Sequence, residues 1–334
     1  MNSLLTPGYT SELLVKVHYC NGAIDAVEPV LQPLPDATGR SLLSQPAERT
    51  LLALPLMFPR YGYAHRMAAR LALSGWDNST PTTPHVDDLR LLHVEALAET
   101  VLRLCQHWHY RSLEQAQPLL LRLQQVLDTP DVLDRQWADG LADEWLKFER
   151  DDWETRDWLA ELAGDLETVF LPFDEGDEDV AVRVAATGTG AHILLEQEGE
   201  SVASLVREAA AAQVDQARQR LDALMPESDT GEWLISFQSA VYARNLCTRP
   251  DESCGQVFTA QGWLQHRLTR HPESAQLSGW TIQTPADVNL AAEGLLPQLL
   301  IGTRVARALV PELVRQLVLT MEPGVDVRIE LTGT

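Results

Sequence analysis

Two alternating runs of apolar residues meet at Asn21-Gly22 in SELLVKVHYCNGAIDAVEPVL (11–31) and commit this part of the chain to β-structure. Asn-Gly accepts the positive φ angles of a two-residue turn, and between alternating flanks it is the strongest short hairpin signal available. VDVRIEL (325–331) alternates in the same way and predicts a further strand. Between these ends the period is mostly helical. A helical pattern begins over 41–51, and an Ala-rich helix is expected to open after Tyr61. VDDLRLLHVEALAETVLRLCQHWH (86–109) carries Leu89, Leu92, Val94, Leu97, Val101, Leu104 and Cys105 at helical spacing. Further helices are expected at 113–127, 131–168 and 200–225, the last ended by Pro226, and over 233–246 and most of 293–321. VAVRVAA (180–186) fits either a strand or a helix start. GQVFTAQGWLQHRL (255–268) and GWTIQTPADV (279–288) read as extended. The expected class is therefore α+β, predominantly helical, with strands at both ends around a helical body.

Among 334 residues, 45% are apolar, enough to bury a sizeable core. No run of about 18 apolar residues occurs, so membrane insertion is not expected. MNSLLTPGYTSELLVKV lacks the basic and apolar regions of a secretory leader. Cys20, Cys105, Cys247 and Cys254 are few and scattered, which suits reduced thiols in the cytoplasm. The 26 basic and 48 acidic residues leave a net charge of −22. That charge repels nucleic acid, whose affinity comes from Lys and Arg on phosphates. It serves solubility or attraction to a basic partner protein. DEGDED (174–179) reads as a solvated loop.

Motifs for common chemistries are missing. Neither GxxxxGK[ST] nor a GxGxxG after a strand occurs, and ATGTGAH (186–192) reads as a connector. There is no GxSxG elbow and no HExxH helix. His107 and His109 of HWH would diverge on a helix. His18 and Cys20 would share a strand face, a poor zinc site by themselves. Cys247 and Cys254 are either free thiols or two ligands needing partners such as His266 and His271. In the acidic stretch at 143–158, Trp137 just before it and Trp145, Trp153 and Trp158 within it suit an interaction face or a core equally.

Several segments, in fixed order, carry a family pattern. LMFPRYGYAH (56–65) resembles the segment of [NiFe]-hydrogenase large subunits in which CxxC is followed by a short link and Ala-His, with Phe58 and Tyr61 at the cysteine positions. It is still more similar to the hydrogenase assembly branch called HupK or HoxV. TAQGWLQHR (259–267) resembles that branch's TARGxLxHR, with Gln261 in place of Arg. TPADVNLAAEG (284–294) resembles PTEWNFHPxG, with Asp287 and Asn289 in register. MEPGVDVRIEL (321–331) resembles DPCxxCRVEV, with Gly324 and Val327 at the thiol positions. EALAETVLRLCQHWH (95–109) is similar to a helix of the same branch.

The resemblance implies a single large-subunit-like domain over 1–334: an N-terminal hairpin at 9–35, a helical body at 41–225 and a C-terminal part at 232–334. It also implies a pocket that holds nickel and iron in the enzymes. Soft thiolates bind and bridge such metals, whereas Phe, Gly and Val do not ligate. Phe58, Tyr61, His65, Gly324 and Val327 are then vestigial metal-pocket positions, with Gln261, Asp287 and Asn289 beside them. His65 is expected to be a core histidine, with a ligand role as the alternative. Asp287 and Asn289 are expected to pin a turn. The expected function is that of a non-catalytic assembly factor, with no cofactor and no catalytic residue. Its expected partners are hydrogenase maturation proteins or the large-subunit precursor. The alternatives are a metal-free structural paralogue in a redox complex, or an iron carrier with ligands relocated to Cys247 and Cys254.

Overall fold

The computed structural model describes residues 12–31, 47–58, 61–75, 86–132, 134–167, 202–225, 243–249, 251–271, 277–321 and 326–333. The readings made for 174–192, and that for residues 233–242, lie outside this set. Among the described residues, one compact unit holds 47–149 and 215–284, and a second holds 12–31, 150–214 and 285–333.

In the second unit the hairpin forms as its sequence dictates. Strand β1 (Glu12–Cys20) pairs antiparallel with β2 (Ala23–Leu31) across Asn21 and Gly22, at φ 52° and 84°. Leu13, Val15, Val17 and Tyr19 point inward and are buried, the period-2 pattern made physical. The register slips between His18 and Tyr19, so that His18 faces Ala26 and Tyr19 faces Ile24. Asp25 is the extra residue of this bulge, and its carboxylate meets His18 Nδ1 at 2.5 Å. Strand β7 (Asp326–Gly333) lies parallel to β1, with Leu13 opposite Val327, giving the order β2-β1-β7.

The short helices α8 (Pro285–Asn289) and α9 (Leu295–Leu300), and the longer α10 (Val310–Thr320), complete this core. Leu296, Leu300, Val310, Leu313, Val314 and Val318 have no exposed surface. Each such side chain contributes roughly 1.5–3 kcal/mol by leaving water. The Tyr19 hydroxyl donates to the Val305 carbonyl at 2.7 Å, so the one phenol here is satisfied.

The first unit has a meander, β3-β4-β5-β6, formed by Ala243–Arg249, Glu252–Thr259, Gly262–Arg270 and Leu277–Gln283. Helix α1 (Ala47–Met57) leads into α2 (Gly62–Ser74). The Ala-rich run now has a reason. Ala64, Ala68 and Ala72 are fully buried one turn apart on α2. A Cβ on Gly255 of β4 would lie 1.9 Å from the Ala68 carbonyl oxygen, so sheet and helix backbones nearly touch. Helix α3 (Val86–Gln106) is buried on every side, and α4 (Leu113–Asp128) starts in a Ser112/Gln115 capping box.

Several sequence expectations are corrected. The pattern over 131–168 is two helices, α5 (Arg135–Phe148) and α6 (Asp152–Glu167), because Glu149 turns to extended backbone at ψ 144°. His107 and His109 follow the end of α3, with His109 at φ 51°. Residues 243–246 are strand rather than helix, since Ala243 and Asn245 register with Val257 and Gly255. Residues 285–288, expected as extended, are helical, within Pro285–Asn289. Helix α7 (Val202–Asp222) matches expectation. Trp137, Trp145 and Trp158 are core, while Trp153 is 59% exposed, so the tryptophans divide between the two roles. No helix among the described residues is long and apolar enough to cross a membrane.

Candidate functional site

The segment with the family-like spacing enters α2 under constraint. Tyr61 adopts a left-handed conformation, φ 57° and ψ 27°, and supplies no side-chain cap. Gly62 follows because a Cβ there would stand 2.8 Å from Pro55 Cα. The cap comes instead from α3. Glu95 Oε1 accepts the Tyr63 N–H and Oε2 accepts the Ala64 N–H, both at 2.9 Å. A carboxylate placed there satisfies two orphan donors and faces the positive end of the helix dipole. Burial nevertheless dominates, pushing the Glu95 pKa up to about 7 despite the two N–H bonds. Glu99, one turn on and also buried, raises it further. Glu95 therefore exchanges its proton near neutrality.

His65 lies one residue beyond that cap. The Phe58 ring stacks on its imidazole, with centroids 3.8 Å apart and planes 10° from parallel. On its other side His65 Nδ1 meets His266 Nε2 of β5 at 2.9 Å. Trp280 of β6 donates its indole N–H to His266 Nδ1 at 3.0 Å. An indole is a donor only, so His266 Nδ1 carries no proton and Nε2 must be the donor to His65. The remaining proton of a neutral His65 then sits on Nε2. Desolvation holds both rings neutral: the His65 pKa falls well below its usual value, helped by His266, and that of His266 falls to about 3.

Tyr61 is equally engaged. Arg103 of α3 donates to its hydroxyl, with the guanidinium carbon 5.9 Å from the ring centroid. A second polar group lies farther along: Arg220 of α7 meets His93 Nδ1 at 3.2 Å and donates to the Phe258 carbonyl at 3.2 Å. Burial, then Arg220, lowers the His93 pKa.

The positions expected from sequence fall into both units. Phe58, Tyr61, His65 and Gln261 belong to the first, and within it Phe58 and His65 are in contact. Gln261 is buried in the β4–β5 turn and donates its backbone N–H to Thr259 Oγ1 at 3.1 Å. Asp287, Asn289 and Val327 belong to the second unit. Asp287 is exposed in the first turn of α8, Asn289 is buried at its end, and Val327 lies against the apolar core. Gly324 is outside the described residues, as is the side chain of Cys247.

The pairing of Cys254 with His266 is not made. Gly255 faces His266 across the ladder and Cys254 faces Arg267, so Cys254 and His266 point to opposite sides of the sheet. Cys254 instead donates its thiol to Gln265 Oε1 at 3.7 Å, and burial raises its pKa.

Sequence inspection missed Glu95, Arg103 and His266 as parts of this cluster. A usable signal was present. Apolar residues surround α3 completely, so its Glu95, Glu99 and Arg103, spaced by four, had to be buried together.

The resident metals implied by the large-subunit resemblance need soft thiolates. The described donors do not fit that requirement. Phe58 offers a stacked ring, the Tyr61 oxygen is taken by Arg103, and His65 Nδ1 is taken by His266. Among the described residues, no group of three or more His, Cys, Asp or Glu side chains is arranged to hold a metal ion.

Comparison with known proteins returns hydrogenase expression/formation proteins. The chain is 29% identical to the hydrogenase expression/formation protein HupK of Azotobacter vinelandii, over 96% of this chain and 98% of that one. The chain is thus similar to HupK along nearly its whole length. It is also 28% identical to the hydrogenase expression/formation protein HupV of Azotobacter chroococcum mcd 1, again over 96% of this chain and 98% of the relative. No protein-family model matches.

Among solved structures, the NAD+-reducing [NiFe]-hydrogenase in the H2-reduced state aligns with a TM-score of 0.43 and 12% identity, covering 91% of this chain and 93% of that one. The archaeal membrane-bound sulfane sulfur reductase aligns at 0.40 and 15%, covering 89% and 90%.

Proposed function

We propose that this HupK-like chain works in the formation of a [NiFe] hydrogenase and is not itself the catalyst. It acts as a scaffold in the cytoplasm, by imitating the large subunit and contacting maturation proteins or the large-subunit precursor. The observation that carries this reading is the Phe58–His65 stack at the entry to α2. Where the enzymes place a thiolate, this chain places a ring that closes over the histidine of the Ala-His pair. Tyr61 supports the same reading, because its phenol is held by Arg103 at the second cysteine position. Packing has taken the place of ligation.

The test is a deletion in the native host combined with assays on the purified chain. Deletion is expected to lower hydrogenase activity at least tenfold and to leave immature large subunit behind. The purified chain should neither oxidise hydrogen nor show cyanide or carbonyl infrared bands. Hydrogen oxidation would overturn the reading, and the infrared bands would make the chain an iron carrier.

A further inference from the structure

Helix α6 is two-faced in an unusual way. Trp158 is buried at 3% exposure, while Trp153 stands out at 59%. Asp152, Trp153, Arg156, Asp157, Ala160 and Glu161 form the exposed side, with Trp153, Asp157 and Glu161 successive turns of one stripe. Three carboxylates there oppose a single cation, Arg156, whose Nε donates to the Asp152 carbonyl at 3.2 Å. Asp151, also exposed, caps the helix by accepting the Glu154 N–H at 2.9 Å. An indole left in water within an anionic stripe gains by being covered, and what covers it must tolerate the charge.

We propose that this face of α6 docks a basic protein segment, one that lays Lys or Arg against Asp152, Asp157 and Glu161 and covers the Trp153 indole with an apolar stem or a guanidinium. Arg and Lys interact well with a Trp face, and their long stems pack on it while the charge stays at the rim. Charge eliminates the other occupants. A net charge of −22 opposes nucleic acid, anionic lipid and a second copy of this chain alike. The inference deepens the scaffold reading and rests on it, since it names the chemistry of the partner a scaffold would hold.

The full-length protein is titrated with a synthetic helical peptide carrying Arg and Lys on one face and Leu beside them, and with the same peptide bearing Ser for Leu. Binding should be salt-sensitive and stronger for the Leu peptide. Trp153→Ala should weaken it about tenfold, which corresponds to about 1.4 kcal/mol. Trp153→Phe should retain most of it, and Asp157→Asn/Glu161→Gln should weaken it and flatten its salt dependence.

In protein labelled with 5-fluorotryptophan, the resonance missing from Trp153→Phe should shift on peptide addition, a measurement that needs no altered protein in the titration. Equal binding by all variants, or an unshifted Trp153 resonance, overturns the proposal. So does a dimer in sedimentation equilibrium that Trp153→Ala abolishes. Because the titration contains no hydrogenase, its failure is separable from failure of the deletion experiment.

Discussion

The two units of this chain solve burial differently. Around β1, β2 and β7 the core is aliphatic, and its one phenol is satisfied by a carbonyl. Around α2, α3 and β3–β6 the interior contains Glu95, Glu99, Arg103, His65, His93, His266 and Arg220, all nearly inaccessible. An aliphatic core needs only volume and pattern, so many sequences satisfy it. A buried polar network costs free energy unless every member finds its partner, and it specifies geometry in return. The contrast places the specific contacts of this protein beside the segment that looks like a metal-binding motif, while the second unit's core supplies stability without chemistry.

The largest effect that would break the contrast is steric. Gly255→Ala sets a methyl group against the backbone of α2, with Ala68 O at 1.9 Å and Ala72 N at 2.7 Å, and neither atom has a side chain's freedom to move. A loss of more than about 4 kcal/mol is expected, seen as failure of the first unit to protect its amides from hydrogen exchange while β1 and β7 remain protected. Equal loss of protection in both units would mean that they fold as one.

Next in size is Leu313→Ala in the aliphatic core. It should cost roughly 2–5 kcal/mol through lost burial and a cavity. The loss should be the same at pH 6.5 and pH 8 in urea denaturation, because the side chains packed around Leu313 are aliphatic. A pH-dependent cost would contradict the description of that core.

The smallest effect is the most specific. Glu95 keeps its proton up to about pH 7 in the folded state, against an ordinary value of 4.5, so stability should fall as pH rises from about 4.5 through 7. His65 and His266 act with the opposite sign. Folding holds them neutral, so their contribution is complete above their ordinary 6.5 and is lost as pH drops toward 3. The limbs oppose each other between pH 4.5 and 6.5, which leaves pH 6.5–8 as the clean window for Glu95. Glu95→Gln should cost about 1–2 kcal/mol, since a carboxamide accepts only one of the two N–H groups. It should also remove the decline of the wild type between pH 6.5 and 8. A persisting decline would assign it to another group.

Strands and helices were legible wherever a single face had to be apolar. The hairpin shows this, with Leu13, Val15 and Val17 inside and Asn21-Gly22 in the turn. So does α7, although a helix expected over 233–246 is strand from Ala243 onward, where pairing with Val257 outweighs local propensity. The motif segment drew notice through FxxY and Ala-His, and two of its residues, Phe58 and His65, do meet. Their partners were not legible. His266 lies 201 positions from His65, and Glu95 reaches α2 from another helix, so only tertiary packing brings them together. Trp153 shows the same limit: its four-tryptophan neighbourhood is alike in composition, yet which ring faces water depends on tertiary packing.

The parallel pairing of β1 with β7 has a consequence for biosynthesis. Leu13 finds its neighbour Val327 only after the ribosome has added about 310 further residues. At roughly 5–20 residues per second, that leaves one edge of β1 open for about 15–60 s. An aliphatic strand waiting so long invites wrong partners, and the tight Asn21-Gly22 hairpin covers its other edge from the first seconds. Newborn chains of this kind gain from a holdase that shields the waiting edge until β7 has been made.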